Sequence, residues 1–63
     1  MQTTRIHFEN GTFIDVKMSD LATDNFKAWL RFANKLDTFV LPADDGRMIK
    51  RGEIAWHEKL NVD

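Results

Sequence analysis

The chain has 63 residues, of which 43% are apolar and 30% are charged. This length corresponds to one small domain, so residues 1–63 are expected to fold as a single unit. The balance of apolar and charged residues is typical of a globular protein and too apolar for a disordered tail. Nine basic and ten acidic side chains give a net charge of −1, which excludes a strong, non-specific nucleic-acid binder.

The sequence also limits where the protein can reside. No apolar run exceeds three residues, so no segment is long enough to span a membrane. No apolar stretch follows the polar first residues, so we expect no secretion signal. Cysteine is absent, which excludes disulfides, thiolate zinc sites and cysteine nucleophiles. A cytoplasmic location is therefore expected.

Small size makes stability a constraint on this chain. A domain of this length buries only about 60% of the surface that its unfolded chain exposes. Without disulfides, two means of stabilisation remain, namely a core of large aromatic side chains or burial of further surface by association. Five Phe and two Trp favour the first and leave the second open.

Alternating apolar residues on both sides of Asn10-Gly11 predict a β-hairpin over residues 4–9 and 12–18. A two-residue loop would pair Ile6 with Asp15 and place a carboxylate among apolar side chains. A three-residue loop, with Gly11 in the left-handed conformation, pairs Ile6 with Ile14 instead. We therefore predict the three-residue loop, which gathers on one face Ile6, Phe8, Ile14, Val16 and Met18.

Ser19 provides N-cap chemistry for a helix that follows the hairpin. Apolar residues then recur at helical spacing and form one stripe, which consists of Ala22, Phe26, Trp29, Leu30, Ala33 and Leu36. The spacing predicts a helix that continues to Leu36 and ends at Asp37-Thr38. Phe32 lies on the flank of this stripe, so the apolar arc is wider than one sheet face needs to cover.

Residues 39–43 and 47–50 predict a second hairpin around the turn signal Asp44-Asp45-Gly46. Pairing Leu41 with Ile49 turns inward Phe39, Leu41, Ala43 and Ile49, and turns outward Val40, Pro42, Met48 and Lys50. Residues 54–58 predict a short last strand, and residues 60–63 are expected to fray. The order ββαβββ predicts an α+β fold with two layers, in which one helix packs across one face of an antiparallel sheet.

The opening hairpin over residues 6–18 and the closing run over residues 45–58 carry a family resemblance. The closing run reads DGRMIKRGEIAWHE. Together these segments resemble small, mostly uncharacterised proteins encoded by bacteriophages and prophages. The resemblance implies an accessory or host-interacting role and supplies no functional residues.

Candidate catalytic and metal-binding residues each have a structural explanation. Ser19, the only serine, stands where a helix cap is needed and has no His near it in sequence. His7 and His57 could approach each other if their strands were neighbours, but a metal site needs three or four ligands. Asp44 and Asp45 belong to a turn signal without calcium-ligand spacing. We therefore expect no enzyme, no cofactor, no metal and no small-molecule substrate.

The face of the sheet away from the helix provides the strongest indication of function. Apolar residues remain there after the helix has covered the first face, and they include Phe13, Val40, Pro42 and Met48, with Ala55 added if Trp56 points inward. Several apolar side chains on one open face indicate an interface. The sequence predicts a non-catalytic module that binds a protein partner or a second copy of itself through Phe13, His7, Val40, Met48 and Phe32.

Nucleic-acid binding is the alternative. Arg47, Lys50 and Arg51 cluster on the closing hairpin, and Phe13 or Trp56 could stack on a base. Acidic residues interleave with these cations, as is typical of a solvated sheet edge. The sequence leaves both functions open and favours association, with a homodimer as the leading form.

Overall fold

A computed structural model of the protein describes residues 2–41 and 46–60. These residues form an α+β fold in the predicted order ββαβββ, which confirms the fold class. The elements are β1 (Gln2–Phe8), β2 (Phe13–Met18), α1 (Asp20–Phe32), β3 (Thr38–Val40), β4 (Met48–Lys50) and β5 (Ile54–Leu60). A short 3-10 helix, Arg51–Glu53, joins β4 to β5. The last strand continues to Leu60, which pairs with Thr3, so the prediction that Leu60 frays is wrong. The predictions for Pro42, Ala43, the Asp44-Asp45 turn and the residues after Leu60 lie outside the described residues.

The described strands divide between two antiparallel sheets. The larger sheet has three strands in the order β2-β1-β5, and β3 and β4 form a separate two-stranded sheet. The first and last strands of the chain are therefore neighbours. This strand order could not be deduced from the sequence pattern.

The register of the first hairpin is the predicted one. Ile6 pairs with Ile14, and His7 pairs with Phe13. The Phe8 N–H donates to the carbonyl of Thr12 at 2.8 Å, which closes the three-residue loop. Gly11 has a φ of 88°, the left-handed conformation that this loop requires and that side chains disfavour.

The core lies between α1, the inner face of the three-stranded sheet and the second hairpin. Its buried apolar residues are Ile6, Val16, Met18, Phe26, Leu41, Ile49 and Ile54. Phe26 is fully buried, with its ring edge-on to Phe39 at 5.4 Å between centroids. Trp29 is only partly buried, with its ring 5.2 Å from that of Phe39. The predicted helix face is therefore correct, and Phe26 is its most deeply buried residue.

The helix begins as predicted but ends earlier. The Ser19 side chain accepts a hydrogen bond from the Ala22 N–H at 3.1 Å, which caps the first turn. The last helical residue is Phe32, so the prediction that the helix reaches Leu36 is wrong, and Leu36 is 81% exposed. A tight turn follows the helix instead, and in it Oδ2 of Asp37 accepts a hydrogen bond from the Asn34 N–H at 2.9 Å.

The predicted register of the second hairpin is wrong by two residues. Phe39, and not Leu41, pairs with Ile49. The pairing is anchored at the end of the hairpin opposite its loop, where the Arg51 N–H donates to the carbonyl of Asp37 at 2.8 Å. The predicted turn residues carry no information about this hydrogen bond, which lies at the other end of the hairpin. Because a shift of two residues preserves alternation, Val40 still faces outward and Ile49 inward.

Removing the Phe26 ring is expected to be the most costly truncation on the helix. Phe26→Ala should lower the free energy of unfolding by about 3–5 kcal/mol, because the ring is fully buried among other rings. Trp29→Ala should cost less, since Trp29 is partly exposed. Urea unfolding followed by circular dichroism measures both. An equal or larger loss for Trp29→Ala would contradict this assignment of the core.

Gly52 is expected to be intolerant of a side chain. A Cβ at this position would lie 3.0 Å from the Lys35 carbonyl oxygen, to which the Gly52 N–H donates at 2.9 Å. Gly52→Ala should therefore cost about 1–3 kcal/mol of stability through strain at this contact. Glu53→Ala, an exposed neighbour, is the control and should change stability by less than about 0.5 kcal/mol. Equal melting temperatures for the two variants would show that the contact carries no strain.

Candidate interface on the open face of the sheet

A β-bulge in β5 decides which way Trp56 points. His7 on β1 pairs with Trp56, whereas the next residue, Phe8, pairs with Ile54. One step along β1 therefore spans two steps along β5, and Ala55 is the extra residue. Ile54 is buried in the core, and strict alternation would turn Trp56 inward as well. The bulge reverses this alternation and places Trp56 on the opposite face.

Three rings form a row across the sheet on the face away from α1, which we call the outer face. Trp56, His7 and Phe13 occupy paired positions on β5, β1 and β2. The His7 and Trp56 rings stack with centroids 3.7 Å apart and planes 3° apart, and the His7 and Phe13 centroids are 5.7 Å apart. Phe13 and Trp56 remain 50% and 53% exposed. We call these three residues the aromatic row.

Contacts within the outer face cover part of each ring of the aromatic row. His7 and Trp56 cover one face of each other at 3.7 Å between centroids. The Phe13 ring is tilted by 44° to the His7 ring, and the Arg5 guanidinium lies over the Phe13 ring. The row therefore offers fewer free ring faces than three separate rings would.

A charged row lies beside the aromatic row. Glu58, Arg5 and Asp15 occupy the next paired positions on the three strands. The Arg5 guanidinium donates to both oxygens of Asp15, at 2.8 and 3.1 Å, and lies 4.3 Å from the centre of the Phe13 ring. His7 Nε2 lies 2.7 Å from Glu58 Oε2. Every charged side chain of this row is thus paired within the outer face.

The hydrogen bonds from Arg5 have a measurable electrostatic consequence. They hold the pKa of the Asp15 carboxyl below its ordinary value of 3.8, and the Asp15 carboxylate in turn raises the pKa of Arg5.

Beyond the charged row, a third row consists of Leu60, Thr3 and Lys17.

The two histidines lie on opposite faces and cannot share a ligand. His57 pairs with the buried Ile6, and its ring lies edge-on to Phe26 at 5.9 Å between centroids. Partial burial, followed by the charges of Lys27 and Arg51, lowers the pKa of His57. Among residues 2–41 and 46–60, no group of three or more potential ligands could hold a metal ion.

The structure divides the predicted contact residues among three places. His7 and Phe13 lie in the aromatic row. Val40 and Met48 pair with each other on the second hairpin and are 55% and 64% exposed. Phe32 ends α1 and is 80% exposed. The prediction of one face shared by both hairpins is therefore corrected, because β3 and β4 form a sheet of their own within residues 2–41 and 46–60. The sequence named Trp56 only as a candidate for stacking on a base and left its direction open, because no sequence pattern marks the bulge.

The predicted basic cluster is partly engaged in the fold. Arg51 Nε donates to the carbonyl of Leu30 at 3.0 Å, which ties the end of α1 to the start of β5. Lys50 pairs with Thr38 across the second hairpin. The Arg47 guanidinium lies above the ring of Phe8, 5.9 Å from its centre. Arg51 is thus a structural residue, and Arg47 and Lys50 are the exposed cations of the cluster.

A cavity of about 280 Å³ opens between the first turn and β4. Its walls include Phe8, Asn10, Thr12, Arg47, Met48 and Glu53. This volume lies at the lower end of the range for ligand pockets. We assign no ligand to it.

Comparisons with models of protein families, with curated proteins and with solved structures give no significant match. In the part of the chain that the structure describes, no helix is long and apolar enough to cross a membrane.

Replacing Arg5 should raise the pKa of Asp15. In Arg5→Met the carboxyl loses the hydrogen bonds that lower its pKa, so the value should return towards 3.8. The pair contributes stability above the unfolded-state pKa, and this contribution is lost as the pH falls through the lower folded-state pKa. Wild type should therefore lose more stability than Arg5→Met as the pH drops below about 3.8. Carboxyl NMR titration checks the shift, and an unchanged Asp15 pKa would contradict the pairing.

Proposed function

We propose that this protein is a non-catalytic binding module that contacts a protein partner through the outer face of its three-stranded sheet. The observation that carries this proposal is the aromatic row. Phe13 and Trp56 are each about half exposed on a face that the helix does not cover. Burial of apolar surface is worth roughly 25 cal/mol per Å². Contact with another protein would therefore remove surface that is unfavourable in water.

The charges of the outer face support a protein partner over a nucleic acid. Arg5 is held by Asp15, and Glu58 adds a second carboxylate beside it. A single-stranded nucleic acid needs free cations for its phosphates and ring faces on which its bases can stack. On the outer face His7 and Trp56 cover one face of each other, and Arg5, which lies over the Phe13 ring, is already paired with Asp15. The second candidate, nucleic-acid binding through Arg47 and Lys50, has no comparable support.

This proposal agrees with the resemblance to small bacteriophage and prophage proteins. Such a resemblance implies an accessory protein that acts by contact with a host component. A small module with a sheet face that the helix does not cover suits that role, because the face offers contact area without requiring a pocket or a cofactor.

Site-specific photo-cross-linking tests the proposed function. A photoreactive phenylalanine analogue replaces Phe13 in one variant and Leu21 in a control variant, and both proteins are produced in cells and irradiated. Leu21 is 71% exposed but lies on α1, so it matches Phe13 in type and not in location. We expect protein adducts at position 13, identified by mass spectrometry as a defined partner or as the protein itself, and few adducts at position 21.

The opposite pattern would overturn the proposal. If position 13 forms no more protein adducts than position 21, the outer face is not a protein interface. If position 13 instead cross-links mainly to nucleic acid, the alternative function replaces the proposed one.

A further inference from the structure

We infer that the partner is a different protein that adds an extended segment, as a fourth strand, to the side of β2 that faces away from β1. We call this side the free edge of β2. The inference rests on the proposed function and adds the mode of contact. Three observations support it: the backbone groups along this edge, the contrast with the opposite edge of the sheet, and the side chains beside β2.

The free edge of β2 presents backbone hydrogen-bonding groups. β2 is a terminal strand of its sheet, and within residues 2–41 and 46–60 it pairs with β1 alone. The Phe8 N–H donates to the Thr12 carbonyl, and hydrogen-bonded pairs alternate along an antiparallel ladder, so Ile14 bonds to β1. The residues whose N–H and C=O groups point to the free edge are Phe13, Asp15 and Lys17. Such alternating donors and acceptors match another extended backbone.

The opposite edge of the sheet, formed by β5, is protected against a further strand. The bulge at Ala55 breaks the regular spacing of its backbone groups. His57 pairs with Ile6 and Lys59 pairs with Thr4, and both of these β1 residues are buried on the inner face. The edge strand β5 therefore turns two ionisable side chains to the inner face. Bulges and inward-facing charges are two ways in which proteins prevent strands from adding to an edge.

β2 has neither form of protection. Its pairing with β1 is regular along the whole strand, and β2 contains no proline. Its inward-facing side chains are all apolar, namely Ile14, Val16 and Met18. Its two charged side chains, Asp15 and Lys17, point to the outer face, where Arg5 holds Asp15. A fourth strand can therefore extend the sheet at β2 and not at β5.

The side chains at one end of β2 indicate the chemistry of the added segment. Ile14 faces inward but is only partly buried, whereas Val16 and Met18 on the same face are buried. An apolar side chain of the added strand, directly opposite Ile14, would cover it. A neighbouring side chain on the outer face would cover Phe13, which is 50% exposed, and would extend the aromatic row. The segment that fits is thus extended, about six residues long, and apolar on both faces at this end.

A second copy of this chain is a poor occupant of the free edge. Two β2 strands that bond antiparallel through all three outward-facing residues would place Asp15 directly opposite Asp15 of the other copy. Like charges in directly opposite positions destabilise a strand pair. A segment of a different protein does not have to place a carboxylate there, so it suits this edge better.

Amide hydrogen exchange of the purified protein, measured by NMR, tests whether the edge is open. We expect the N–H groups of Phe13, Asp15 and Lys17 to exchange about tenfold or more faster than those of Ile14 and Val16, which bond to β1. Equal protection of the two sets would show that the protein covers this edge by itself and would overturn the inference.

Photo-cross-linking in cells tests strand addition directly. The photoreactive analogue at position 13 is combined with Lys17→Pro, Lys17→Ala or Lys59→Pro. Lys17→Pro removes an N–H from the free edge of β2, whereas Lys17→Ala removes the same side chain and keeps the N–H. Lys59→Pro makes the equivalent change at the edge of β5. Circular dichroism checks folding, and if Lys17→Pro does not fold, Asp15→Pro and Asp15→Ala replace the Lys17 pair.

We expect Lys17→Pro to lower the yield of protein adducts about tenfold relative to Lys17→Ala, and Lys59→Pro to leave the yield unchanged. An undiminished yield in folded Lys17→Pro, or an equal loss in Lys59→Pro, would overturn strand addition at β2 and retain the proposed function. Adducts of the protein with itself would also overturn the inference, because they would assign the edge to a second copy. Absence of protein adducts at position 13 would reject both the inference and the proposed function.

Discussion

The pairing of Ile6 with Ile14 is the constraint on which both faces of the larger sheet depend. Side chains alternate along a strand, so a pairing that buries Ile6 must turn Arg5 and His7 to the other side. The three-residue turn fixes this register, because Gly11 adopts a left-handed conformation with a φ of 88°. A slip of one residue would exchange the faces and expose the core. The core and the candidate interface are thus two consequences of one register.

The bulge at Ala55 adds a second constraint, which links the core to the aromatic row through β5. Ile54 fills the core, and Trp56 stacks on His7 only because the extra residue reverses the alternation between them. Without the bulge, a large ring would enter the core and the outer face would lose its stacked pair. The bulge therefore lets one strand contribute an apolar side chain to each layer, which is how such bulges commonly re-aim side chains.

Sequence reasoning succeeded where one local pattern decided the structure. The alternation around Asn10-Gly11 predicted the register of the first hairpin, and Ser19 with Phe26 predicted the start and the buried face of α1. It failed where contacts between residues far apart in the sequence decided the structure. The hydrogen bond from the Gly52 N–H to the Lys35 carbonyl helps to hold the position of the second hairpin, and neither residue type predicts this bond. Likewise His7 and Phe13 were predicted as an outer-face pair, whereas the direction of Trp56 stayed open, because no sequence pattern marks the bulge.

The central claim is that the aromatic row is the contact surface of this protein, and the two tryptophans allow a direct test. Trp56 lies in the row, and Trp29 packs against the core and serves as an internal control. The measurement is the position of both indole N–H signals in NMR spectra recorded from about 1 mM down to about 20 µM. We predict that the Trp56 signal moves, either over this concentration range or when a lysate of the producing cells is added, while the Trp29 signal stays fixed. A Trp56 signal that stays fixed under both conditions, or equal movement of both signals, would contradict the claim.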